Sequence, residues 1–482
     1  MRAAAAGIAL VLTGCASLGP GAGNHPGYAD PALAQCAAAY RQHDERVVAA
    51  DARDAQDSPV AGFPYLRVNR LLASYRDAAA RDEALLRALV ERMQALDASA
   101  RALESANVVG GAPLPPPGCG ASLRDADLAR PAARAALLEA MVVPDDYSDG
   151  LRTLGFYFLS KGPFSEGVRK HLAEVRAAYA RPLAVAAGAT LERHVPPAGR
   201  MPPRVSVAAM LAQAAANPLG IAELRDSELE VLYRMHAPIY EIENSGPHDR
   251  FGALRAAARG EAPSVDPSAP VVYRHAAWTR YRGRTLLQLV YTLWFPERPA
   301  QSAADILAGR LDGVTWRVTL APDGEPVLYD TIHPCGCFHM FYPTPRASPV
   351  AAPGGEVEWM FSPQALPRVP EGARVLLRIA AGTHYVERVA LVSGVSGAPA
   401  YELRPYDELR SMERIGGGRS SAFGPDGLVA GTERPERMLF WPMGIVSAGA
   451  MRQWGRQATA FVGRRHFDDA DLLEKRFELQ LQ

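Results

Sequence analysis

The sequence carries no excess charge of either sign. Lys and Arg together number 52 and are matched by 52 Asp and Glu over 482 residues, so no overall field draws the chain towards nucleic acid or an anionic membrane. The basic residues are almost all arginine, a bias of composition rather than of chemistry. Long apolar runs are absent beyond the N-terminus: no later stretch reaches the roughly 18 apolar residues of a membrane span. The motifs HExxH, CxxC and GxSxG are missing as well, which leaves a zincin, a common zinc module and a serine hydrolase of that type without support. No internal repeat with a period of about 20–50 residues is visible.

What is present is enough for two or three folded units, since 482 residues exceed one ordinary domain and 48% of them are hydrophobic. Residues 32–260 are rich in Ala, Leu and Arg and helical in character. Leu85, Leu89, Met93, Leu96, Ala100 and Leu103 recur at steps of three or four, one apolar stripe on a long helix. The Pro- and Gly-rich stretch 107–120 ends that helix, and further helices are expected over 122–142, 164–182, 205–216 and 221–235. After 260–270 the pattern changes to alternation, at 287–295 and 314–320. Pro322-Asp323-Gly324 then turns the chain back through Val327 to Ile332 as a hairpin. Strands are also expected at 356–361, 374–380 and 385–392, with a closing helix near 468–480. The fold class is α+β: an N-terminal helical bundle over 32–260, then an antiparallel β-rich domain over 268–482.

The N-terminus opens with one basic residue, Arg2, an apolar run from Ala3 to Leu12, and then Leu12-Thr13-Gly14-Cys15. The run is too short to span a bilayer and has the length of a signal-peptide core. Its ending resembles the lipobox of bacterial lipoproteins, the substrates of signal peptidase II. That resemblance implies removal of residues 1–14, lipidation of Cys15, and a flexible tether over 15–31. Ala16 follows the cysteine, with no Asp there to signal inner-membrane retention. The resemblance therefore implies the outer membrane, facing the periplasm, with two or three acyl chains giving stable anchoring.

Cys15 being assigned to lipid, four cysteines remain. In an oxidising compartment Cys36 and Cys119 are expected to form a disulfide that ties the first helix to the Pro-rich loop. The other two lie in "IHPCGCFHM", where His333, Cys335, Cys337 and His339 alternate over seven residues. On a straight strand the outer pair would be about 20 Å apart, so one metal ion cannot touch all four. Pro334 and Gly336 permit the backbone to curl, which would let a subset of the four act as ligands. Two thiolates favour Zn or Cu. A Cys335–Cys337 disulfide and a structural turn are the competing readings.

Completing ligands are sought in "MHAPIYEIENSGPHDRFG", which carries His236, Glu241, Glu243, His248 and Asp249. Capping and turn roles explain that loop equally well. His275 and His384 are weaker candidates, and Gly416–Gly418 between Arg414 and Arg419 is either an anion cradle or a turn. Three functions follow. One is a structural or binding lipoprotein holding a metal ion at 333–339, with an envelope protein or glycan as partner. The second is a metal-dependent hydrolase of envelope polymers, which needs a carboxylate base near the metal. The third is an interaction protein with only structural disulfides.

Overall fold

The computed structural model describes residues 24–481 other than 200, 258–260, 395, 396 and 415. The expected signal segment, Cys15 and the first part of the expected tether lie outside the described residues. The chain is α+β.

Residues 31–141 gather around a core that Leu219, Ile221 and Ala470 complete. Helix α1 (Pro31–Ala49) is followed by hairpin β1 (Ser58–Val60) and β2 (Phe63–Val68), then the short α2 (Arg70–Ala73) and α3 (Arg76–Ala79). The long α4 (Glu83–Asn107) starts at Asp82, whose carboxylate accepts from the Leu85 N–H. Its stripe of Leu86, Leu89, Val90 and Met93 packs against β2 and α1. Helices α5 (Cys119–Ala129) and α6 (Pro131–Ala140) occupy the region expected as one helix. Pro131 divides them, because it has no N–H to give and restricts Arg130 to extended backbone. Cys36 and Cys119 are disulfide-bonded and clamp α1 to α5.

Helices α7 (Asp149–Leu154) and α8 (Tyr157–Ala180) come next. They are followed by β3 (Thr190–His194), α9 (Arg204–Ala214), α10 (Asp226–His236), β4 (Ile239–Asn244), β5 (Ala253–Arg255) and β6 (Ser264–Asp266). The stretch read as wholly helical up to 260 therefore contains strands. Their partners explain why: β4 pairs parallel with a strand some 130 residues later, which leaves no local signal.

The centre of the molecule is a six-stranded sheet of β7 (Val271–Tyr281), β8 (Arg284–Arg298), β9 (Gly309–Leu320), β10 (Pro326–Ile332) and β11 (Met340–Pro343), edged beyond β7 by a late strand. The expected hairpin is β9–β10, turned at 322–324. After β12 (Ala347–Pro349), strands β13 (Arg374–Ile379) and β14 (Val386–Val392) join β4 and β3 in a second sheet of order β14-β13-β4-β3. The edge strand of the first sheet is β15 (Glu402–Pro405), parallel to β7. Both sheets are thus mixed rather than purely antiparallel.

The strand expected at 356–361 does not form; Glu358 there accepts a hydrogen bond from the Val462 N–H instead of pairing along its backbone. The tail holds β16 (Met412–Glu413), β17 (Arg419–Ser420), α11 (Arg437–Phe440), α12 (Leu472–Arg476) and β18 (Phe477–Leu479). The closing helix is only one turn long, and its end becomes a strand paired with β12. One large core joins the two sheets with α9 and α10.

Candidate functional site

The segment 333–339 links β10 to β11 and is curled, as Pro334 and Gly336 allow. The His333 N–H donates to the Cys337 carbonyl at 3.0 Å, and the Gly336 N–H to the His333 carbonyl at 2.8 Å. Gly336 has φ +93°, and a Cβ there would stand 2.4 Å from the Ala458 oxygen, so no other residue fits.

The curl sends the two histidines to different carboxylates. His333 donates through Nδ1 to Asp312 of β9 at 3.0 Å, and His339 through Nε2 to Asp330 of β10 at 2.9 Å. Asp330 is also held by both arms of Arg317, at 2.9 and 2.5 Å. Burial holds His339 neutral, its pKa lowered to about 3. The four-residue cluster expected to supply a metal ligand set is therefore divided. Among the described residues no group of three or more His, Cys, Asp or Glu side chains is placed to hold a metal ion. The physical reason is prior engagement: each histidine already has a carboxylate partner from the strand beside it.

Asp312 is the hub of a buried polar network. It accepts from His333 and, at 2.9 Å, from His384 Nδ1, with the Arg434 guanidinium 3.5 Å away. The other His384 nitrogen lies 3.3 Å from Asp249, and that ring stacks on Phe295 at 3.9 Å. Asp249 in turn accepts from the Gly382 N–H at 2.6 Å and from Ser245. Burial would push Asp312 up, but His333, Arg434 and His384 outweigh it and hold it well below the usual carboxylate range. Burial would likewise push His384 down, but Asp249 and Asp312 raise it above an ordinary imidazole. Leu311, Phe338 and His384 all sit at positive φ, +52°, +58° and +53°. Three strained non-glycine residues around one network mark a part of the fold that is held in place by its surroundings.

The remaining candidates are elsewhere. Glu241 and Glu243 lie two apart on β4 and are ion-paired to Arg378, Glu241 also to Arg193. His236 is buried and neutral, its pKa lowered to about 3 by burial and by Arg374 and Arg204. His248 sits 3.2 Å from the Ser245 hydroxyl. His275 packs on Trp454 at 4.3 Å and is also neutral, at about 3 through burial. Arg414 donates its N–H to the Gly418 carbonyl at 3.1 Å, as the turn reading of Gly416–Gly418 expects. Of all these, Asp249 and His384 belong to the network of His333, and His248 borders it 3.3 Å from Asp249.

Cys335 and Cys337 are free thiols. They line a cavity of about 620 Å³, enclosed by one face of α8, the 335–340 segment, the start of β14 and the 436–461 region. Its walls are mainly apolar: Phe164, Val168, Leu172, Val175, Phe361 and Phe440 among them. The polar groups on the wall include the two thiols, the carboxyls of Glu358, Glu387 and Glu436, His171 and Arg465. A hydrogen bond with Cys335, together with burial, pushes the Cys337 thiol well above its usual range. Glu436 has no hydrogen-bond or ion-pair partner for its carboxyl among the described residues, and burial raises its pKa to about 7. Gly449 makes room for that carboxyl, since a Cβ there would meet it at 1.9 Å. Burial lowers His171 and raises Glu358.

Helix α8 covers this cavity with little of its own surface buried, Tyr179 being its one fully buried side chain. The Tyr179 hydroxyl donates to the Val386 carbonyl at 2.7 Å and accepts from Tyr342 at 2.7 Å. His171 rests on the Phe338 and Tyr385 rings.

Sequence reasoning missed Asp312, Asp330, Arg317, Arg434 and Glu436. The first three carried a signal, an ionised residue in mid-strand among apolar neighbours, which has to be paired. No family model matches the chain, and no curated protein or solved structure is similar to it.

Proposed function

We propose that the chain is a lipid-anchored lipoprotein facing the periplasm from the outer membrane, and that it binds a small apolar or amphiphilic molecule in the cavity beneath α8. In this reading an N-terminal helical bundle carries the tether, and the β-rich unit with α8 carries the cavity. The observation behind it is the cavity itself. A volume of about 620 Å³ falls within the roughly 300–1,000 Å³ of small-molecule sites. Its mainly apolar walls favour a ligand whose buried part gains by leaving water. Glu436 and the two thiols supply the few polar contacts that orient such a ligand.

His333 and His339 are engaged with Asp312 and Asp330, and among the described residues the Cys335 and Cys337 thiols and the Glu436 carboxyl are not placed together as a metal-holding group. Hydrolysis through a metal needs such a group and a free carboxylate base beside it. Glu241 and Glu243 are occupied by arginines, and Glu436 stands on a mainly apolar wall with no metal-holding group among the described residues, which favours ligand binding.

Native mass spectrometry of the full chain with monoolein, an uncharged amphiphile, tests it. One bound molecule per chain is expected, with binding weakened at least tenfold in Gly167→Phe. Gly167 is on the cavity wall and a Cβ added there meets nothing within 4 Å, so the ring fills the cavity without a backbone clash. No saturable binding, or equal binding by the variant, would overturn the proposal.

A further inference from the structure

The rim of the cavity continues into an apolar surface. Leu154 of α7, Phe156, Phe158 and Leu159 at the start of α8, and Met438 and Leu439 of α11 are each more than half exposed; Phe158 is 68% and Met438 70% exposed. The patch is one rigid piece. Arg152 donates through Nε to the Met443 carbonyl at 2.9 Å, and the Ser148 N–H to the Gly444 carbonyl at 2.7 Å. Gly155 lies so close to Pro442 that a Cβ would stand 2.5 Å from it. Phe156 takes a left-handed backbone, φ +48°, with its side chain exposed. Such a conformation is costly for a bulky residue. Phe164 and Phe440, which pack on each other at 5.5 Å, belong at once to this surface layer and to the cavity wall.

Contiguous exposed apolar side chains mark an interaction surface, and the charges around this one indicate with what. Residues 149–170 and 437–446 carry five basic side chains, Arg152, Lys161, Arg169, Lys170 and Arg437, against two acidic ones. Asp149 and Glu166, the two acids, are paired with Arg464 and Arg169. Two of the three lysines in the chain are on α8, where long basic side chains can reach anionic headgroups while apolar neighbours enter the acyl boundary. The chain from Cys15 to the first described residue, Asn24, spans nine residues, about 30 Å when extended. A lipid on Cys15 thus keeps the folded body close to a bilayer.

We propose that the 154–159 and 438–446 surface docks on an anionic phospholipid bilayer and opens the cavity to it, so that the molecule held beneath α8 is a membrane lipid whose acyl part enters the cavity and whose headgroup stays at the basic rim. This rests on the ligand-binding reading and on lipidation of Cys15, and it goes further by naming the ligand class and its source.

The test uses the full lipidated chain reconstituted in phosphatidylethanolamine and phosphatidylglycerol vesicles with brominated acyl chains, read by tryptophan fluorescence. Trp441 is the tryptophan of the patch, 38% exposed, whereas Trp294 and Trp316 are buried. Quenching is expected. It should be lost in Trp441→Phe, lost in Phe158→Asp/Leu159→Asp, and at least twofold weaker in phosphatidylcholine vesicles. Quenching unchanged by these substitutions, or none at all, overturns the proposal. So does sedimentation showing that the patch joins two copies of the chain. Monoolein binding by Phe158→Asp/Leu159→Asp separates the two claims. If it is retained without quenching, docking alone fails; if monoolein never binds while Trp441 is quenched, the cavity reading alone fails.

Discussion

Asp312 and His384 meet at 2.9 Å with both side chains fully buried, a carboxylate from the middle of a strand against an imidazole at a left-handed position. Asp249 and Arg434 complete a set of two carboxylates, one imidazole and one guanidinium. Removing one member leaves another charged and unpaired away from water. Asp312→Asn is expected to lower stability by about 3–5 kcal/mol, read as the shift of the urea midpoint at unchanged slope. A shift equivalent to under about 1 kcal/mol would show that the network is not charged in this way.

Cys36 and Cys119 are 83 residues apart in sequence and bonded in the fold. The bond restricts the unfolded chain, which on the chain-entropy account contributes about 4–5 kcal/mol. Cys36→Ala/Cys119→Ala should therefore unfold at a clearly lower urea concentration, and reduction of the native chain should have the same effect.

Gly336 admits no side chain. Gly336→Ala places a Cβ 2.4 Å from the Ala458 oxygen and strains a φ of +93°, so the 333–339 curl must shift. Loss of at least about 2 kcal/mol is expected, together with faster modification of the Cys337 thiol by maleimide.

Glu436 makes ligand binding depend on pH. Its folded-state pKa of about 7 lies above the ordinary 4.5. The sign follows from the direction: its protonated form is favoured by the fold, so its contribution is full below about 4.5 and is lost as pH rises through about 7. The loss is about 3 kcal/mol for a shift of this size. Ionisation also puts a charge on an apolar wall, so monoolein affinity should fall between pH 6 and 8, a window of about one unit either side of that pKa. Glu436→Gln should bind with no such dependence.

The sequence made the local elements legible. The stripe from Leu85 to Leu103 became α4, and Pro322-Asp323-Gly324 became the β9–β10 turn, because a helix period and a turn are properties of a few adjacent residues. The local hairpin β1–β2 escaped within the Ala-rich stretch, and so did the non-local pairings. The parallel pairing of β4 with β13 places Ile239 beside Leu376, and nothing within Ile239–Asn244 announces such a partner. The same limit applied to "IHPCGCFHM". Its curl was readable from Pro334 and Gly336, whereas nothing local pairs His333 and His339 with carboxylates that stand 21 and 9 residues away in the sequence. Nor did the sequence reveal the cavity, whose wall is assembled from segments scattered between Pro163 and Arg465.

The central claim is that the space beside Cys337 is a ligand site, and the rate of Cys337 alkylation tests it most directly. In the native chain, saturating monoolein should slow alkylation at least tenfold, while in Gly167→Phe it should change the rate little. Equal rates with and without monoolein in the native chain would contradict the account.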